Sequence, residues 1–128
     1  MFSMNQIQTD ALVFRPIEPA DEPLLLDIYA STRADEMDLV PDWSAEQKTT
    51  FLTQQFRAQH IYYQQMYKNK QFGILLYEEQ AAGRLYLDHR ADEVRIVDIA
   101  LLPGFRGKGI GEGVLRGIMH EAAATGKR

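Results

Sequence analysis

Three glycines at alternate positions, Gly107, Gly109 and Gly111, stand beside two cations, Arg106 and Lys108. Glycine tolerates the sharp, positive-φ backbone that leaves N–H groups uncovered. A run of uncovered N–H groups flanked by positive side chains is chemistry for an anion, and a phosphate or pyrophosphate fits it. The second candidate is Asp98, the one carboxylate inside an otherwise apolar stretch. Such a group either takes a proton in general-base catalysis or answers a cation, with Arg95, Arg84 or a helix as possible partners.

The elements that must position these residues follow from the flanking sequence. Residues 94–103 are apolar and rich in β-branched side chains, interrupted only by Arg95 and Asp98. That pattern predicts a strand buried on both faces of a sheet. Pro103 ends it, because proline cannot donate to the ladder. From Ile110 onward, Val114, Leu115, Ile118, Met119 and Ala122 recur three and four apart, the face of an amphipathic helix. Strand, glycine turn and helix N-terminus then aim N–H groups and the positive end of the helix dipole at one spot.

Two familiar phosphate motifs fail on spacing. A P-loop needs Gly, four residues, then Gly-Lys-Ser/Thr. Gly104 and Gly109 have that interval, but Ile110 and Gly111 follow. A dinucleotide fingerprint needs Gly-x-Gly-x-x-Gly. Gly107 and Gly109 open it, yet Glu112 stands at the third glycine's place.

The pattern that fits is Arg-x-x-Gly-x-Gly, met by Arg106, Gly109 and Gly111 after Ile99-Ala100-Leu101-Leu102-Pro103. It resembles the acyl-CoA-binding motif of the GNAT family of N-acetyltransferases, and the element order of the rest of the chain is similar to that family's. The resemblance implies an α/β (α+β) fold, an antiparallel meander flanked by helices, in one domain over residues 1–128. It implies acetyl-CoA as co-substrate, no metal, and acetyl transfer to the amine of a small molecule or peptide. Ile99 and Leu101 would pair with the pantetheine arm through their backbone, like an added strand. The backbone of Gly107, Lys108, Gly109, Ile110 and Gly111 would hold the pyrophosphate, with Arg106 and Lys108 nearby. Asp98 would take the amine's proton, and Tyr29 and Tyr63, on helices that flank the acceptor in the family, would bind substrate. A non-catalytic acyl-CoA-binding module is the alternative. The chain stops at Arg128, where the family's fifth strand would begin; a piece of a longer protein, a naturally short homologue or a partner chain would each account for that. An uncovered strand edge favours association, so a homodimer is expected.

Composition narrows the function classes. The 128 residues suffice for one core, and 45% hydrophobic with 25% charged residues is ordinary for a globular protein. A net charge of −4 argues against nucleic-acid or anionic-membrane binding by bulk electrostatics and mildly favours a cationic acceptor. The absence of cysteine removes disulfides, thiolate zinc sites and a thiol nucleophile. Residues 1–10 are polar and do not read as a signal peptide, and no apolar run reaches membrane-spanning length. Both point to the cytoplasm.

The remaining elements read in order. Residues 11–16 form a short strand, Asp21 caps a helix to about Ser31, and residues 33–42 make an irregular acidic connection. Ser44-Ala45-Glu46-Gln47 is a capping box opening a helix to about Tyr67, with Phe51, Leu52, Phe56, His60 or Tyr63, and Tyr67 inward. Trp43 reads as a staple for that helix. Strands over 71–77 and 81–88 join through Glu78-Glu79-Gln80, residues 89–92 turn into the apolar strand, and Gly126 ends the last helix. His60 and His120 lack a metal partner at helical spacing. Asp88 and His89 fit turn chemistry, and Glu112 and Glu121 fall on the outer helix face.

Overall fold

The computed structural model describes residues 12–127, so the expected non-signal stretch at residues 1–10 and the question of a strand beyond Arg128 lie outside the described residues. The chain divides into two compact units, residues 18–68 and the segments on either side of them.

The sheet unit holds β1 (Leu12–Pro16), β2 (Lys70–Tyr77), β3 (Gln80–His89), β4 (Val94–Leu101) and a helix, Ile110–Ala124. The strands lie in the order β1-β2-β3-β4, all antiparallel. Because successive side chains alternate faces, Leu12, Phe14, Leu75, Leu85 and Leu87 gather on one side. Ile110, Val114 and Ile118 of the final helix close that core, with Ile99, Leu101 and Phe105 packed against it. β2 and β3 meet in a two-residue turn, Glu78 and Glu79, both at positive φ (50° and 68°). Such values at both central positions are what the strand twist demands of a tight hairpin.

The final helix stops as Gly126 predicts. Gly126, at φ 76°, donates to Ala123 O at 3.1 Å, and Lys127 N–H reaches Ala122 O at 2.7 Å. These two bonds are the Schellman closure. Its inner face differs from the expected one. Leu115 and Met119 are 40% and 71% exposed, whereas Glu121 is buried. Leu115 and Met119 follow the core residues Val114 and Ile118 by one position, a rotation of about 100° that carries them past the apolar stripe. Glu121 sits three beyond Ile118 and falls inside it.

The helical unit contains a 3-10 turn (Pro19–Asp21), α1 (Glu22–Thr32), α2 (Ala34–Met37) and α3 (Ala45–Met66), which makes the final helix α4. The Asp21 carboxylate does not cap α1; it accepts the Glu18 N–H at 2.8 Å and closes the 3-10 turn instead. The connection expected to be irregular contains α2, one helical turn. At α3 the capping box is complete: Ser44 Oγ accepts the Gln47 N–H at 3.1 Å and Gln47 Oε1 accepts the Ser44 N–H at 2.8 Å. Trp43 packs edge-on to Phe51, 5.4 Å between centroids, one turn beyond a staple's usual partner. Of the expected inward residues of α3, Phe56 is fully buried, and Phe51, Leu52, His60, Tyr63 and Tyr67 are half-buried.

Candidate functional site

Among the described residues β4 is the last strand of the sheet, and its burial overturns the expectation of a strand covered on both faces: Ala100 is its one buried residue and Ile96 is 37% exposed. Its mixed apolar sequence serves one packed face and one open edge. Tyr86 stands opposite Asp98, but Leu87 stands opposite Ile96, so Val97 is an extra residue and β4 bulges there. A bulge locally disrupts the ladder and bends the strand.

Beyond the bulge the backbone polarity is determined by register. Leu102 N–H donates to Ala82 O at 2.7 Å, while Leu101 stands opposite Gly83 and Ile99 opposite Leu85. Hydrogen-bonded and non-bonded pairs alternate in an antiparallel ladder. The N–H and C=O groups of Ile99 and Leu101 therefore point away from β3, to the open edge, while their side chains pack on the core.

The chain then makes a 3-10 turn (Pro103–Phe105), held by Phe105 N–H to Leu102 O (2.9 Å) and Arg106 N–H to Pro103 O (3.3 Å). Gly107 and Gly109 follow at φ 76° and 77°. Gly109 is the N-cap of α4, and having no side chain it covers none of the helix's first amides. Among the described residues the N–H groups of residues 107–112 donate to no protein acceptor; the next bond is Gly113 N–H to Gly109 O at 3.0 Å. Nothing lies within 4 Å of where a Cβ would stand on Gly107 or Gly109, and at Gly111 the nearest atom is Leu101 Cδ1 at 3.8 Å. Ile110 sends its side chain into the core, so its N–H is what it offers the turn.

The two cations are anchored differently. Arg106 Nε donates to Leu101 O at 2.9 Å. Lys108 Nζ lies 5.8 Å from the Phe105 ring centroid, and that ring meets Tyr77 edge-on at 6.3 Å. Open amides, a helix N-terminus and two positive charges converge on one exposed turn, an arrangement that binds a phosphate oxyanion.

Asp98 forms an ion pair with Arg84 of β3, whose side chain is 3% exposed against 21% for Asp98. Of the two sequence readings, the pairing is thus present in the structure. Tyr29 is buried in the helical unit, donates its hydroxyl to Gln55 Oε1 at 3.1 Å and tilts against Phe56 at 6.0 Å. Tyr63 is half-buried with its ring edge-on to Tyr67 at 5.9 Å. His60 stacks on Phe56 at 5.5 Å, and Asp88 pairs with Arg90 at 3.0 Å. His89 Nε2 meets Gln71 Oε1 at 2.6 Å, and burial, with Lys127 second, holds its pKa below the usual imidazole value. Among the described residues no cluster of three metal-ligating side chains occurs, and no helix is long and apolar enough to cross a membrane.

The sequence model of the acetyltransferase (GNAT) family matches residues 35–128. The chain belongs to the GNAT acetyltransferase family. Several solved structures share the GNAT fold with it. The PaiA N-acetyltransferase of Thermoplasma acidophilum, in complex with coenzyme A, superposes with a TM-score of 0.59 at 16% identity, covering 91% of this chain and 74% of that one. An acetyltransferase of Salmonella typhimurium that modifies the N-terminal serine of ribosomal protein L7/L12 gives 0.58 at 19% identity, covering 93% and 67%. N-acetylglutamate synthase of Neisseria gonorrhoeae, complexed with coenzyme A and N-acetyl-glutamate, gives 0.52 at 19% identity, covering 94% and 24%. No curated protein matches the chain in sequence.

Within this GNAT domain, sequence reasoning missed the bulge at Val97 and the bond from Arg106 to Leu101. The first leaves a faint trace, since Ile96 and Val97 break strict alternation. The second has no sequence signature, because it depends on how tightly the chain turns at Pro103.

Proposed function

We propose that this GNAT domain transfers an acetyl group from acetyl-CoA to a primary amine. The amine nitrogen attacks the thioester carbon, a C–N bond forms, the tetrahedral oxyanion collapses, the C–S bond breaks, and the amine proton leaves as the CoA thiolate gains one. The observation that carries the reading is the unbonded run of amides at residues 107–112, one turn from the outward-facing backbone of Ile99 and Leu101. The glycine turn with Arg106 and Lys108 takes the pyrophosphate. Ile99 and Leu101 take the pantetheine amides as an added strand would, and a β4 amide steadies the oxyanion. Asp98, beside the bulge, is the candidate proton acceptor, and Tyr63 a candidate for the acceptor site. Tyr29 keeps that assignment only through its ring, because its hydroxyl is held by Gln55. The family match spans both compact units, which supports one domain with one activity.

One structural neighbour modifies a protein N-terminal serine and another holds N-acetyl-glutamate, so a peptide N-terminus and a free amino acid are both acceptors to test. The exposed edge of β4 ahead of the bulge supports a homodimer, and the composition supports a cytoplasmic setting. The test is calorimetric titration with acetyl-CoA, followed by thiol release with a polyamine, an amino acid and a peptide N-terminus as acceptors. Micromolar binding with thiol release for one acceptor supports transfer. The pairing of Asp98 with Arg84 favours a second reading, a binding module without turnover, whose signature is binding with no thiol release. Absence of acetyl-CoA binding overturns both.

A further inference from the structure

The first turns of α3 carry a groove of about 510 Å³, with Trp43, Glu46, Thr50, Phe51 and Gln54 in its lining. That size is within the range of small-molecule sites. Gln47, Thr50, Phe51 and Gln54 are spaced three and four apart and so share one helix face. Trp43 comes from the turn before the cap, its N–H donating to Val40 O at 3.1 Å. Its ring stands at 77° to that of Phe51, with centroids 5.4 Å apart, and Trp43 is 37% exposed. Two rings near a right angle make a corner, and the electron-rich faces of such rings attract a cation.

Charge points the same way. Residues 34–47 hold five carboxylates, Asp35, Glu36, Asp38, Asp42 and Glu46, and no lysine or arginine. Arg33 and Lys48 flank the stretch, and Arg33 pairs with Glu36. The start of α3 adds about half a positive charge, less than the acidic excess that remains. An anion would also find two of the first-turn amides engaged: Gln47 N–H donates to Ser44 Oγ and Lys48 N–H to Ser44 O, each at 3.1 Å. We propose that the groove binds a primary alkylammonium. Its chain lies against Trp43 and Phe51, and its N–H donors are shared among the Glu46 carboxylate and the side-chain oxygens of Thr50 and Gln54. The groove is wholly within the helical unit, and its occupation is independent of the acyl-CoA reading.

Trp43 is the chain's single tryptophan, so its emission reports on the groove directly. The full chain is titrated with n-butylammonium, with n-butanol, which keeps the alkyl chain without the charge, and with butyrate, which reverses the charge. A saturable change in emission is expected for butylammonium in the millimolar range, and binding about tenfold weaker for the other two. Glu46 is exposed, so Glu46→Gln leaves the fold intact, and it should lose about fivefold in butylammonium affinity. Phe51→Leu keeps apolar bulk without the ring face and should lose about threefold. No saturable response to butylammonium, an equal response to n-butanol or butyrate, or an unchanged affinity in either variant overturns the proposal.

Discussion

Arg84 and Asp98 face each other diagonally across β3 and β4, Arg84 opposite Ala100 and Asp98 opposite Tyr86, and their side chains form an ion pair on the face of the sheet away from α4. The guanidinium is almost wholly enclosed and also lies 5.1 Å from the Tyr86 ring centroid. Asp98 therefore carries a structural duty whether or not it serves catalysis.

Removing the carboxylate takes one charged partner away from an enclosed cation. Asp98→Asn is expected to lose about 3 kcal/mol, the lower range for breaking a buried pair, since Asp98 retains some solvent contact. The double variant Arg84→Met with Asp98→Leu should recover part of that loss. Urea denaturation measures both. If Asp98 also takes the amine proton, Asp98→Asn loses thiol release at temperatures where the variant remains folded.

Gly109 supplies the left-handed residue at the start of α4. Adding a Cβ there meets no protein atom, so Gly109→Ala suffers backbone strain and not a clash. The expected cost is about 1–2 kcal/mol of stability. Acetyl-CoA affinity should fall about tenfold, since 1.4 kcal/mol of misplaced amide geometry is a factor of ten. Gly104→Ala, at ordinary φ with equally open surroundings, is the control and should change neither.

The hairpin turn stores strain of the same kind. Glu78 and Glu79 hold φ values of 50° and 68° without being glycine or asparagine. Replacing the pair by Asn-Gly matches the residue types that the turn favours. A gain of about 1 kcal/mol in unfolding free energy is expected, read as a higher denaturation midpoint with unchanged acetyl-CoA binding.

His89 makes stability depend on pH. Its folded pKa lies below the unfolded value of about 6.5, through burial first and Lys127 second. The unfolded chain therefore binds the proton more readily, and stability falls as pH drops from about 6.5 toward the folded pKa, below which the penalty is constant. His89→Gln should flatten this part of the melting-temperature profile between about pH 7 and 5. An unchanged slope would show that other groups set it.

The glycine turn was legible because its geometry is written in residue type: only glycine holds φ 76° and 77° cheaply, and Gly107 and Gly109 do. The same holds for the Ser44 capping box and the Gly126 stop. Burial was less legible. Residues 94–101 read as covered on both faces because apolar content reports average environment, whereas a strand's place in the sheet depends on which partner lies beside it. Leu115 and Met119 lie outside the buried stripe of α4 and Glu121 inside it, because the stripe follows Val114, Ile118 and Ala122 and not the full set of apolar residues. Asp98 admitted two readings, and Arg84, fourteen residues away, became its partner only once β3 and β4 were in register. Tyr29 is an aromatic residue on a helix expected to flank the acceptor, but its hydroxyl partner Gln55 lies on another helix and has no local signature.

Amide NMR during an acetyl-CoA titration tests the central claim most directly, because the proposed ligand contacts are N–H groups. The resonances of Gly107, Lys108, Gly109, Ile110, Gly111 and Glu112 should move together, saturate at the calorimetric stoichiometry and exchange their protons with solvent more slowly in the bound state. Saturation with acetyl-CoA while those six resonances stay in place and exchange at the free rate would contradict the account.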